Sequence, residues 1–152
     1  MVMFAGAPKG QAGGEWISHM TDKPHLISFP SHGASDIGFV TVAEREKSIP
    51  FPIARVYWTY YTPNNVTRGR HAHYSLYQVL IAVDGIIEIT TESRTGEKET
   101  FVLDSPDKGL FLPPPFWHTM RFSHTSVLLS LCSMPYEASD YIRDYELFKR
   151  GG

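Results

Sequence analysis

Between residues 37 and 132 the chain is a succession of short runs rich in β-branched and aromatic residues. They are IGFVTV (37–42), IARVYWTYY (53–61), YQVLIAV (77–83), IIEITTE (86–92), ETFVL (99–103), GLFLP (109–113) and SVLLSLC (126–132), with turn residues between most of them. Such side chains suit a pleated, half-buried surface, so the chain reads as all-β. This many strands at this spacing imply a sandwich or barrel of the jelly-roll kind. One short C-terminal helix is expected near SDYIRDYELFKR, where Ser139 is placed to cap it. Asp84-Gly85, between two strand-like runs, is the strongest local hairpin signal, because both central positions of a type I′ turn need positive φ.

The 152 residues are 42% hydrophobic and 13% aromatic, enough apolar material for one compact core. A formal charge of -2 gives no basic footprint, which argues against nucleic acid and anionic membrane surfaces as partners. No apolar run approaches the ~18 residues of a membrane helix. The single cysteine, Cys132, lies in an apolar run, reads as a core thiol and fits a reducing, cytoplasmic compartment. The first stretch, MVMFAGAPKGQAGGEWISHM, lacks periodicity and ends in Ser-His-Met in the manner of a cloning junction. Residues 1–20 therefore read as an expression tag or disordered leader ahead of a single domain over 21–152, and His19 is discounted with them.

Within TRGRHAHYSLYQVLIAVDG (67–85), two histidines stand one residue apart on a strand. Alternation puts His71 and His73 on one face, about 7 Å apart at the Cα level, with Ala72 on the other. Three readings follow. The first is a metal site, for the G-x-H-x-H pattern resembles the first signature of cupin barrels, and His118 in PPPFWH stands where the second signature has its histidine. Metal-binding cupins add a glutamate four or five residues on, whereas Tyr77 and Gln78 occupy that slot here, leaving His71, His73 and His118 as the ligand set. The second is structural filler, with each imidazole needing a hydrogen-bond partner. The third is proton transfer without metal, since an imidazole can accept or donate near neutral pH.

IPFPIARVYW, RGRHAHYSLYQVLIAVDG, DSPDKGLFLPPPFWHTM and ASDYIRDYELF, between residues 49 and 148, together resemble the dTDP-4-keto-6-deoxyglucose 3,4-ketoisomerases. These are cupin-fold enzymes of deoxysugar biosynthesis. The resemblance implies a cupin-type jelly roll that needs no cofactor, acts as a homodimer on a dTDP-linked keto-deoxysugar, and tautomerises it through an enediol. It implies acid–base roles for His71 and His73, with His73 as the first choice for the C3 base, and places Tyr57 beside the sugar. Arg55 and Arg68 match the family's R-V-Y and R-G-x-H-A-H strings, and their guanidinium forks suit phosphate oxygens. His118 is expected inside the barrel, orienting a catalytic ring or contacting substrate. Arg121 and Arg143 have no such support and read as surface or structural charges. His25, His32 and His124 read as solvated. By parity Tyr57 and Tyr61 share one face of their strand and Trp58 and Tyr60 the other. Arg70, Tyr74, Ser75 and Tyr77 depart from the family pattern while leaving the histidine pair intact.

Overall fold

The computed structural model describes residues 16–17 and 20–151. Among them are twelve strands: β1 (His25–Ser28), β2 (Ser31–Ala34), β3 (Gly38–Thr41), β4 (Arg55–Thr59), β5 (Thr67–His73), β6 (Gln78–Asp84), β7 (Ile87–Glu92), β8 (Lys98–Leu103), β9 (Lys108–Leu112), β10 (Trp117–Phe122), β11 (Val127–Cys132) and β12 (Tyr141–Ile142). A single α-helix, α1 (Tyr145–Arg150), follows them. Two five-stranded antiparallel sheets, ordered β1-β9-β6-β11-β4 and β12-β5-β10-β7-β8, face each other, and β2 and β3 form a separate hairpin. This is the all-β, jelly-roll arrangement expected from the runs of branched residues.

Side-chain alternation builds the layers. Leu80 and Ala82 of β6 point between the sheets with Ile87, Ile89, Leu103, Leu110, Phe122 and Leu128. Val79 and Ile81 point the other way, into a second cluster with Phe29, Ile49, Phe51, Phe111 and Leu131. Strand β6 is therefore buried on both faces, which is why its sequence runs apolar without interruption. Trp16, from inside the stretch read as a leader, packs on that second cluster, its ring 5.2 Å from Tyr77 and 6.1 Å from Phe51. The rest of the expected leader, apart from Ile17 and Met20, lies outside the described residues.

Four local expectations are corrected. Asp84-Gly85 does turn the chain, with Gly85 at φ +73°, but β6 and β7 do not pair; they belong to opposite sheets, so the turn is a crossing between layers. Strand β7 pairs with β10 on one side and on the other with β8, its hairpin partner, joined through Ser93 to Glu97 with Gly96 at φ +95°. The run over 53–61 is strand only over β4, and Tyr61 leaves it at φ +57°, so the parity argument pairing Tyr61 with Tyr57 fails. Ser139 caps nothing: Asp144 accepts from Leu147 N at the start of α1, while residues 138–140 form a 3-10 turn capped by Glu137. His25 is half-buried on β1 with its ring 5.0 Å from Phe111, whereas His32 and His124 are exposed as expected.

Candidate active site

The site stands on β5, flanked by β10 on one side and β12 on the other. Cross-strand register sets His118 opposite His71 and Tyr141 opposite His73, so four rings share one face. The His71 ring centroid lies 4.5 Å from that of His118 and 4.9 Å from that of His73, and the Tyr141 ring is 4.4 Å from His73. Ala72 points to the opposite face, where Ile142 and Phe148 bury it under α1. The pairing of the two histidines on one face is thus as alternation demanded.

A bulge makes the rest. The register between β5 and β10 slips between His118 and Thr119, which pair with His71 and Gly69, so Arg70 is the extra residue and sits at φ +58°. An inserted residue reverses the alternation before it and turns Arg68 to the same face as His71. Gly69 permits the slip: at φ +84° it presses against β10 so closely that a Cβ there would lie 2.7 Å from the His118 carbonyl oxygen. Without the slip Arg68 would point with Ala72 toward the helix.

A cavity of about 440 Å³ opens over this face, with Tyr57, Thr59, Arg68, His71, Tyr141 and Arg143 on its wall. Of the expected site residues, Tyr57, Arg68 and His71 line it. His73 and His118 stand behind His71, 4% and 2% exposed. Arg55 is not among the residues lining that wall: it is half-buried on the same face of β4 as Tyr57, with its guanidinium 5.5 Å from the ring centres of both Tyr57 and Tyr136 and donating to Cys132 Sγ. Cys132 is fully buried and free, as expected of a core thiol. Gln78, in the slot where metal cupins carry glutamate, is buried and donates from Nε2 to the Tyr57 hydroxyl at 3.1 Å, fixing that phenol at the cavity edge.

Three groups escaped the sequence reading, and all lie on one segment. Asp140 Oδ2 is 3.2 Å from His73 Nδ1. Tyr141 lies on both rings of the histidine pair. Arg143, read as a surface charge, lines the cavity with its guanidinium 4.4 Å above the Tyr141 ring. The D-Y-I-R string that carries all three was visible as a string, but nothing in it says which strand it will join.

The electrostatics keep the imidazoles neutral. Burial, then the rings of His71 and His118 and the guanidiniums of Arg55 and Arg143, pull His73 down to about 2. Burial and His71 pull His118 to about 3, against a raising bond to the Phe116 carbonyl. His71 is also lowered, chiefly by burial and with a contribution from Arg143. Burial raises the Tyr57 phenol, so it is a donor at neutral pH. His71 meets the His73 and His118 rings edge to face, while those two rings lie nearly parallel, 6.2 Å apart. Among the described residues no group of three or more His, Cys, Asp or Glu has a metal-holding arrangement.

A jelly roll whose cavity brings neutral imidazoles, a phenol and two arginines together is a cupin-like fold with the groups needed to move protons on an anionic small molecule. The particular family follows from comparison. Residues 22–151 match the family described as FdtA: WxcM-like, C-terminal. The chain is 40% identical over 114 residues to a TDP-4-oxo-6-deoxy-alpha-D-glucose-3,4-oxoisomerase of Aneurinibacillus thermoaerophilus, covering 74% of this chain and 81% of that one. The crystal structure of a 3,4-ketoisomerase from Helicobacter canadensis superposes with a TM-score of 0.79 at 37% identity, over 84% of this chain and 96% of that one. The sugar 3,4-ketoisomerase QdtA of Thermoanaerobacterium thermosaccharolyticum, solved with TDP, gives 0.81 at 34% identity, over 87% and 96%. The chain belongs to the sugar 3,4-ketoisomerase family and is an isomerase.

Proposed function

We propose that the chain converts dTDP-4-keto-6-deoxyglucose into a dTDP-3-keto-6-deoxyhexose by acid–base tautomerisation, with no cofactor. The C4 ketone acidifies the hydrogen on C3. A base takes that hydrogen as a proton, giving an enediolate; the O3 proton leaves, O4 gains one, and C4 is reprotonated. Atoms and electrons balance within the sugar. The observation that carries the reading is His71 on the cavity wall, neutral, with His73 and His118 packed behind it and the Tyr57 phenol near by. A neutral imidazole can accept the C3 proton, and a phenol can donate to the developing oxyanion.

His71, His73 and Tyr57 are the acid–base groups in this reading. The sequence alone favoured His73 as the C3 base; the wall position of His71 supports the reverse order, with His73 as the group behind it. Arg68 and Arg143, on the same wall, suit the diphosphate, and an anion there offsets the cationic pull that lowers the histidines. Arg55, beside Tyr57, and His118, behind His71, support the site from outside that wall.

The reading extends to a cytoplasmic enzyme of deoxysugar and glycan biosynthesis, O-antigen among the destinations, and to a homodimer. The described residues include no helix long and apolar enough to cross a membrane. The β2–β3 hairpin bares Phe39 and Val40, and edge strand β4 bares Val56 and Trp58, apolar surface of the kind a second copy covers.

Incubation with dTDP-4-keto-6-deoxyglucose in D₂O, followed by NMR of the sugar, tests the function. Wild type should yield a 3-keto sugar carrying deuterium. His71→Asn should keep dTDP binding and lose turnover by about 10² to 10⁴-fold. Unchanged substrate with wild type, or near wild-type turnover by both His71→Asn and His73→Asn, would overturn the assignment.

A further inference from the structure

We propose that Asp140 is a positioning residue for this reaction: its carboxylate fixes His73 in the Nδ1–H tautomer and supports the imidazolium when the ring takes up a proton. The proposal rests on the reading of the site as an acid–base pocket and adds a residue to it.

Asp140 is 7% exposed, and a buried carboxylate needs donors on both oxygens. It has them. Oδ1 accepts from Ser75 N at 2.8 Å, while Oδ2 accepts from Leu76 N at 3.2 Å and faces His73 Nδ1 at 3.2 Å. A carboxylate has no proton to give, so His73 must donate from Nδ1, leaving Nε2 bare. The Asp140 backbone is held as firmly, for its carbonyl accepts from Tyr74 N at 3.0 Å. Side chain and main chain thus lock the 3-10 turn onto the connection that follows β5.

The groups around His73 come from four elements. They are His71 on its own strand, His118 on β10, Tyr141 on β12 with Arg143 just beyond, and Arg55 on β4. Every cation in that set opposes a proton on His73. Among the described residues Asp140 is the one carboxylate bonded to the ring. A role confined to tying down the Ser75 and Leu76 amides would require no contact with the imidazole at all. The contact instead gives the ring both a fixed orientation and a counter-charge, the arrangement by which an aspartate sets the tautomer of a working histidine.

The test joins a spectrum with kinetics. The histidine ¹⁵N spectrum of wild-type protein, with His73 assigned by its loss in His73→Asn, should show protonated Nδ1 and bare Nε2. In Asp140→Asn, kcat for dTDP-4-keto-6-deoxyglucose should fall at least about 10-fold with KM little changed. In a His73→Asn background the same change at Asp140 should cost nothing further in turnover. A wild-type His73 protonated on Nε2 overturns the proposal and needs no folded Asp140 variant. A folded Asp140→Asn with wild-type kcat also overturns it. If wild type fails to turn over the sugar nucleotide, the functional reading falls, and the spectrum still judges Asp140.

Discussion

Acidification should destabilise this protein well above the pH at which its carboxylates titrate. His73 and His118 are buried and neutral in the folded chain, held at about 2 and about 3, whereas an unfolded chain presents them at the ordinary value of 6.5. Below that value the unfolded state binds protons that the folded state refuses, so stability falls with pH until the folded values are reached. Each group costs about 1.4 kcal/mol per unit below 6.5. At pH 5.0 these two rings together therefore remove about 4 kcal/mol, and the lowered His71 adds to the loss in the same direction. That is a large part of the roughly 5 to 15 kcal/mol that holds a domain together. Urea unfolding at pH 7.5, 6.0 and 5.0, at one fixed protein concentration, reads it directly. With a slope of about 2 kcal/mol per molar, the midpoint should drop by about 2 M between the extremes. His118→Gln, which removes one of the three lowered rings, should make the pH dependence clearly shallower whatever it does to stability at pH 7.5. A midpoint that barely moves between pH 7.5 and 5.0, or a variant as steep as wild type, would refute the argument that the rings are held neutral by burial.

Two further expectations concern ligand and assembly. Saturating dTDP should raise the melting temperature by mass action, and Arg68→Ala or Arg143→Ala should shrink the shift while Arg121→Ala leaves it alone; equal shifts in all three would remove the wall arginines from phosphate binding. Light scattering should give twice the chain mass, with Trp58→Asp shifting it toward one chain mass; a wild-type monomer at micromolar concentration would dismiss the homodimer.

What could be read from the sequence, and what could not, divides by the range of the interactions involved. Strands were legible where branched and aromatic runs declare themselves locally, which left β1, β2, β10 and β12 outside the runs identified, and the shared face of His71 and His73 was legible because it needs only the two-residue period. The Asp84-Gly85 turn was legible as a turn and not as a crossing, because turn chemistry fixes a local reversal and says nothing about which sheet the next strand joins. The placement of Asp140 against His73 is a contact across 67 residues, and its motif carries no mark of that partner. Arg68 shows how narrow the margin is. Plain alternation puts it on the same face as Ala72, where it would meet Ile142 and Phe148 rather than a phosphate. Its turn toward the cavity depends on Arg70 taking a positive φ that the letter R does not advertise, with Gly69 beside it admitting the close approach of β10. One inserted residue thus decides whether Arg68 faces the cavity or the helix.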